Sequence, residues 1–239
     1  MNDLLAFAVD AHGGLDRWNA FSELRVDLDI DGAIWHFKQQ PDLLHGKVFE
    51  LSTQRQRLTI SPFGGDRNHS VFDAGQLSIQ SDQEELIELR ADPVASFESQ
   101  TYESPWDRMH VAYFASEALW TYLTSPFLYT YPGFETEELE PWFENGEEWR
   151  RLQVTFPDYI LSHCKTQITH FGPDGLMRRH DYTVDILKGA TGANYPTDYQ
   201  DVQGLKLPAK RRIYAYDDAG LKVEEPLLVS LDFTDFRFA

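Results

Sequence analysis

Eight histidines, a single cysteine and 39 acidic side chains are the groups in this chain that could do chemistry, and their spacing narrows what that chemistry is. Zinc needs three or four convergent nitrogen, sulfur or carboxylate ligands. None of the histidine and cysteine spacings has that pattern, so no metal and no other cofactor is expected. His163 and Cys164 are neighbours, which in a strand sends them to opposite faces. Cys164 shares a predicted face with His180, as a thiolate–imidazole pair would require. Free cysteine is nevertheless among the most buried residue types, and a small apolar side chain is its plainer role. No Gly-x-Ser-x-Gly elbow occurs. The stronger acid–base candidates are His110 and Tyr113, with Trp106 and Asp107 just before them, and His180 with Tyr182. Histidine changes charge near neutrality and a buried tyrosine keeps a polar handle. A core role explains the same residues, since histidine and tyrosine are often buried.

Those residues need elements to hold them. From Trp106 to Pro126 the residues Met109, Val111, Ala112, Phe114, Ala115, Ala118, Leu119, Tyr122 and Leu123 are apolar on most sides of a 3.6-residue period. This predicts a buried central helix, ended by Pro126, that also carries Trp120 inward. A shorter amphipathic helix opens the chain over 3–12, capped by Asn2 or Asp3 and stopped by Gly13-Gly14. At its end His12, as a cation, would favour the helix dipole. Leu15 to Trp18 reads as a second helical turn. Alternating Leu24, Val26, Leu28 and Ile30 predict a half-buried strand over 22–30. Further short strands are predicted over 33–38, 43–51, 55–61, 76–81, 84–90, 149–156 and 163–171, bounded by Gly, Pro, Asp or Asn.

Gly172-Pro173-Asp174-Gly175 fits a type I turn with a bulge that pairs Gly172 with Leu176. The register then places Cys164, Thr166 and Ile168 inward with His180, Tyr182 and Val184. It leaves His163, Lys165, Gln167 and Thr169 toward solvent with Arg179, Asp181, Thr183 and Asp185. Turns are also predicted at Gln203-Gly204 and over 217–220. The acidic stretches 135–140 and 144–148 read as an exposed connection. Arg178-Arg179 and Lys210-Arg211-Arg212 read as solvated strand faces.

A formal charge of −18 over 239 residues leaves no basic stripe for phosphates and disfavours nucleic acid and anionic lipid surfaces. Aromatic content of 14% can fill a substantial core, and no linker divides the chain, so a single domain over 1–239 is expected. The composition excludes an intramolecular disulfide, because only Cys164 is present. No stretch approaches the length of a membrane span. The opening residues lack the basic and apolar regions of a signal peptide, which makes a cytoplasmic protein the expectation.

The segment Ala11-His12-Gly13-Gly14-Leu15-Asp16-Arg17-Trp18, followed by a strand, resembles the N-terminal part of the LolA and LppX lipoprotein-carrier group. The stretch from Tyr199 to Pro208, leading to Leu231-Asp232-Phe233-Thr234-Asp235-Phe236, resembles the end of the same proteins, and the middle is similar to bacterial proteins of that layout. The resemblance covers about a quarter of the chain. It implies a mainly β (α+β) fold: a strongly curved antiparallel sheet, an incomplete barrel, with helices covering a concave face that holds acyl chains or other apolar ligands. The chain departs from the group in opening without an export signal and in carrying a polar and aromatic insertion over 102–149. A hydrophobic small molecule, lipid or isoprenoid-like, is therefore the expected partner, contacted by Trp106, His110, Tyr113, Phe114, Trp120, Cys164, His180 and Tyr182. Two other functions stay open: an enzyme of cyclase or isomerase type using a His/Tyr acid–base in the same cavity, and a protein-interaction module. The oligomeric state is not encoded in any motif.

Overall fold

Alternation of apolar and polar side chains builds the frame. In the computed structural model, which describes residues 2–73 and 75–239, β1 (Glu23–Asp31) buries Leu24, Val26, Leu28 and Ile30. The intervening side chains stay at or near the surface. From β1 an antiparallel meander runs through β2 (Lys47–Ser52), β3 (Arg57–Ser61), β4 (Asn68–Asp73), β5 (Gln76–Ser81) and β6 (Leu86–Arg90). A second meander comprises β7 (Glu135–Glu144), β8 (Glu147–Thr155), β9 (Thr166–Phe171), β10 (Met177–Val184), β11 (Ala190–Val202) and β12 (Leu205–Tyr216), with the short β13 (Lys222–Val223) beside β12. The seam is β14 (Val229–Phe238), which pairs with β1 on one side and β12 on the other. The result is one curled, unclosed 14-stranded sheet with β6 and β7 at its open ends.

The connection from β6 to β7 carries α4 (Arg108–Thr124) across the inner face, where every residue from Met109 to Thr124 is buried. At the chain start, α1 (Asp3–Ala11) is capped by the Asn2 side chain, which accepts the Leu5 N–H, and α2 (Leu15–Trp18) follows the Gly13-Gly14 stop. Gly13 has a φ of +117° and a Cβ there would lie 2.3 Å from the Gly204 carbonyl oxygen, so glycine is required by close approach as well as by conformation.

Several expectations need correction. Residues 33–38 form no strand but α3 (Ala33–Phe37), because the Ala33 and Ile34 N–H groups bond to the distant Leu227 and Leu228 carbonyls. Strand β2 starts later than predicted, and β4 had no counterpart in the sequence reading. The acidic stretches are a hairpin, β7–β8, in which Glu138 pairs with Arg150 and Glu144 with Arg179. His12 is buried, and burial lowers its pKa to about 4, so it closes α1 as a neutral ring 2.7 Å from the Ala8 carbonyl and not as a cation. Arg179 and Arg211 are not solvated: strand alternation turns Arg211 inward, while Arg179, on the face opposite His180, is covered by Trp142, Tyr195 and Tyr216 and paired with Glu144 and Asp181.

The turn at 172–175 forms as its chemistry demands, with the Gly172 N–H donating to Leu176. Beyond Met177 a bulge at Arg178 shifts the pairing by one, so His180 faces Thr169 where Ile168 was expected. Consequently Gln167 and Thr169 are buried and Thr166 is exposed, while His180 and Tyr182 remain inward. His163, which lies before β9 and outside that ladder, is buried as well.

Candidate functional site

Small side chains on α4 open a gap under the curved sheet. Ala115 and Ala118 lie on its inner flank, and between them, α3 and the strands β1, β10, β11, β12 and β14 is a cavity of about 70 Å³. Ile30, Trp35, Phe114, Leu119, Ile213 and Leu231 make its wall largely apolar. The phenols Tyr122 and Tyr182 bring the main polarity. Opposite Tyr182 in the ladder stands Gly192, where a Cβ would lie 2.3 Å from the Tyr182 ring. The glycine lets that ring lie down along the cavity.

The cover over this space is α3 and the turn at 101–104. Lys38, 1% exposed at the C-terminal end of α3, donates to the carbonyls of Thr101, Tyr102 and Ser104 and lies over the rings of Tyr102 and Trp106. Burial lowers its pKa. Ile34, Trp35 and Tyr102 thereby close the outer side of the cavity.

Behind the phenols is a buried polar layer. The Tyr122 hydroxyl contacts the Tyr182 hydroxyl and stands 3.1 Å from His163 Nε2. His163 Nδ1 is 2.8 Å from Glu117 Oε2, and among the described residues Glu117 Oε1 has no hydrogen-bond partner. Glu117 and His163 are 2% and 5% exposed. Burial raises the pKa of both phenols well above the ordinary range, which keeps them neutral. His180 Nε2–H donates to the Gln167 side-chain oxygen at 2.7 Å, and burial holds its pKa well below the usual value.

Deeper still, Arg211 donates to the Tyr122 carbonyl at 2.7 Å. The helical partner of that carbonyl would be residue 126, and Pro126 has no N–H, so the guanidinium takes the vacant role. Its Cζ also lies 5.3 Å from the Tyr122 ring centre.

Of the eight residues expected at a ligand, Phe114 and Tyr182 line the cavity. His180 sits in the polar layer against Tyr122 and Tyr182, with ring centres 6.1 and 5.2 Å away. The others stand elsewhere. His110 is spent at the start of α4, where its Nδ1 accepts the Asp107 N–H and the Asp107 carboxylate accepts its own. Tyr113 packs on Phe72 and Phe97, and Trp106 on Phe97 and Phe114. Trp120 faces the first meander and donates to the Ser52 carbonyl. Cys164 is buried with its thiol near the Thr166 carbonyl, and burial raises its pKa. Glu117, Tyr122 and His163 were missed. Glu117 carried a legible signal, as the one acid within the apolar α4.

The complete architecture, a curled open sheet with a helix laid in it, matches solved structures. A LolA superfamily protein from Nitrosomonas europaea superimposes with a TM-score of 0.53 at 9% identity, covering 98% of this chain and 92% of that one. The fold is LolA-like. A DUF1329 family protein from Desulfovibrio piger ATCC 29098 gives 0.52 at 9% identity, covering 98% and 91%. No family model and no curated protein matches the sequence. Within the LolA-like frame, α4 and its polar layer occupy much of the concave space. No helix of the described residues is long and apolar enough to cross a membrane.

Proposed function

We propose that the protein binds a hydrophobic small molecule, lipid or isoprenoid-like, between α4 and the curved sheet. The observation that carries this is the apolar cavity lined by Trp35, Phe114, Ala118 and Leu119. The LolA-like fold supports it, since the cavity lies between α4 and the inner face of the curled sheet. Apolar burial supplies the affinity, at about 25 cal/mol per Å² before the costs of association. A space of about 70 Å³ admits only a short apolar segment. Pockets for whole ligands are usually roughly 300–1,000 Å³. Entry of a longer molecule therefore requires the cover held by Lys38 to swing outward.

The test uses the dye N-phenyl-1-naphthylamine, which fluoresces in apolar surroundings. Saturable uptake by the wild type, weakened about tenfold or more in Ala118→Leu, is expected, since the added side chain fills the cavity. No uptake, or equal uptake by a folded variant, overturns the reading. A second reading, an enzyme using the same cavity, is favoured by the Glu117–His163–Tyr122–Tyr182 array beside it.

A further inference from the structure

We infer that the Glu117–His163–Tyr122–Tyr182 array is a binding site for a carbonyl oxygen, which makes the ligand an apolar molecule bearing a carbonyl group. The inference rests on the cavity reading above and adds the chemistry of its polar end.

The direction in which protons are shared decides which hydroxyl is free. A carboxylate as buried as that of Glu117 is costly without a counter-charge, and His163 is the residue at ion-pair distance from it. His163 is then an imidazolium, and its Nε2–H donates to the Tyr122 oxygen. With Nε2–H donating to its oxygen, the Tyr122 O–H has the Tyr182 oxygen as its one protein acceptor within reach, and donates onward to it. Tyr182 keeps one proton with no protein acceptor among the described residues. Its residue lines the cavity, so the free O–H belongs to whatever enters.

Three further observations fit this assignment. The cavity is otherwise apolar, so a single donor there fixes orientation without paying to desolvate further polar groups. Gly192 removes the Cβ that would push the Tyr182 ring off the sheet. Arg211, the neighbouring cation, is engaged with the Tyr122 carbonyl and Asn194 and adds no second head-group donor to the cavity wall. A neutral acceptor oxygen suits one phenolic donor, whereas a phosphate would need several.

The test compares acetophenone with ethylbenzene, which share a carbon skeleton and differ in the carbonyl. Affinities are measured by displacement of N-phenyl-1-naphthylamine from the wild type, Tyr182→Phe and Tyr122→Phe. Loss of one hydrogen bond in a dry site should weaken acetophenone about tenfold in Tyr182→Phe, while ethylbenzene changes less than about twofold. Tyr122→Phe interrupts the array and should weaken acetophenone alone, which keeps the test decisive if either variant folds poorly. In the infrared, the carbonyl stretch of bound acetophenone should lie at lower frequency in the wild type than in Tyr182→Phe. Ethylbenzene binding with identical acetophenone affinity and carbonyl frequency in wild type and variants overturns the oxygen site but leaves the cavity. Failure of both compounds and the dye to bind the wild type overturns the cavity and the oxygen site together.

Discussion

The two ends of α4 bury polar groups in opposite ways. At its start, Asp107 and His110 satisfy one another's backbone N–H groups, His110 Nε2 meets the Ser96 carbonyl at 3.3 Å, and Arg90 holds the outer face of Asp107. Asp107 and His110 find their partners within one turn of chain, on the 95–97 turn or on strand β6. At its far end, Glu117, Tyr122, His163, Tyr182 and Arg211 come from separate elements and meet only because the sheet curls around the helix. There, among the described residues, Glu117 Oε1 and Arg211 Nε remain without partners. A histidine that caps its own helix has no valence left for a ligand, so the unspent groups mark the end worth testing.

Removing Arg211 should break this contrast most severely. Arg211→Ala strips the donor from the Tyr122 carbonyl and leaves a hole beside the rings, at a cost of about 4 kcal/mol. A denaturant titration measures it; a loss below about 1 kcal/mol would show that the far end of α4 does not depend on the sheet.

Acid should come next. The folded pKa of His12 is depressed to about 4, below its unfolded value of 6.5, so the unfolded chain binds the proton first. The stability from this neutral ring is whole above pH 6.5 and is lost as pH falls through about 4, about 3 kcal/mol over the window. His180 and His170, both with lowered values caused first by burial, push the same way. In His12→Gln the decline in melting temperature between neutral and acid pH should be visibly shallower; an unchanged decline would count against a neutral His12.

The smallest effect belongs to the self-contained end. Asp107→Ala should cost about 1 kcal/mol through the lost cap and leave uptake of the naphthylamine dye unchanged. A loss of dye binding on that substitution would erase the distinction between the ends.

What the sequence revealed follows the same division between local and distant causes. The cap at Asn2, the Gly172–Gly175 turn and the apolar surround of α4 arise from neighbours in the chain, and all were readable there. The α3 turn was not, since its N–H groups are claimed by Leu227 and Leu228. Strand β7 and the first residues of β8 looked like a solvated connection because, at an open sheet end, acidic side chains pair with arginines from neighbouring strands. The bulge at Arg178 hid Gln167 and Thr169, whose inward positions depend on a one-residue shift that strand alternation alone does not reveal, and His163 lies before β9, outside that ladder. Tyr122 read as one more apolar position, and only its neighbours across the sheet distinguish it.

The position of β14 has a consequence for the order of events during synthesis. Strands β1 to β6 emerge early and can pair with one another as they appear, and β7 to β12 can do the same. Yet β1 and β12 each wait for the same late segment, Val229–Phe238, to supply their remaining neighbour. Until it arrives the nascent chain holds two half-sheets with unclaimed borders, and α4 has a floor on only part of its circumference. The concave chamber is thus completed in a single late act, when one strand closes both borders at once.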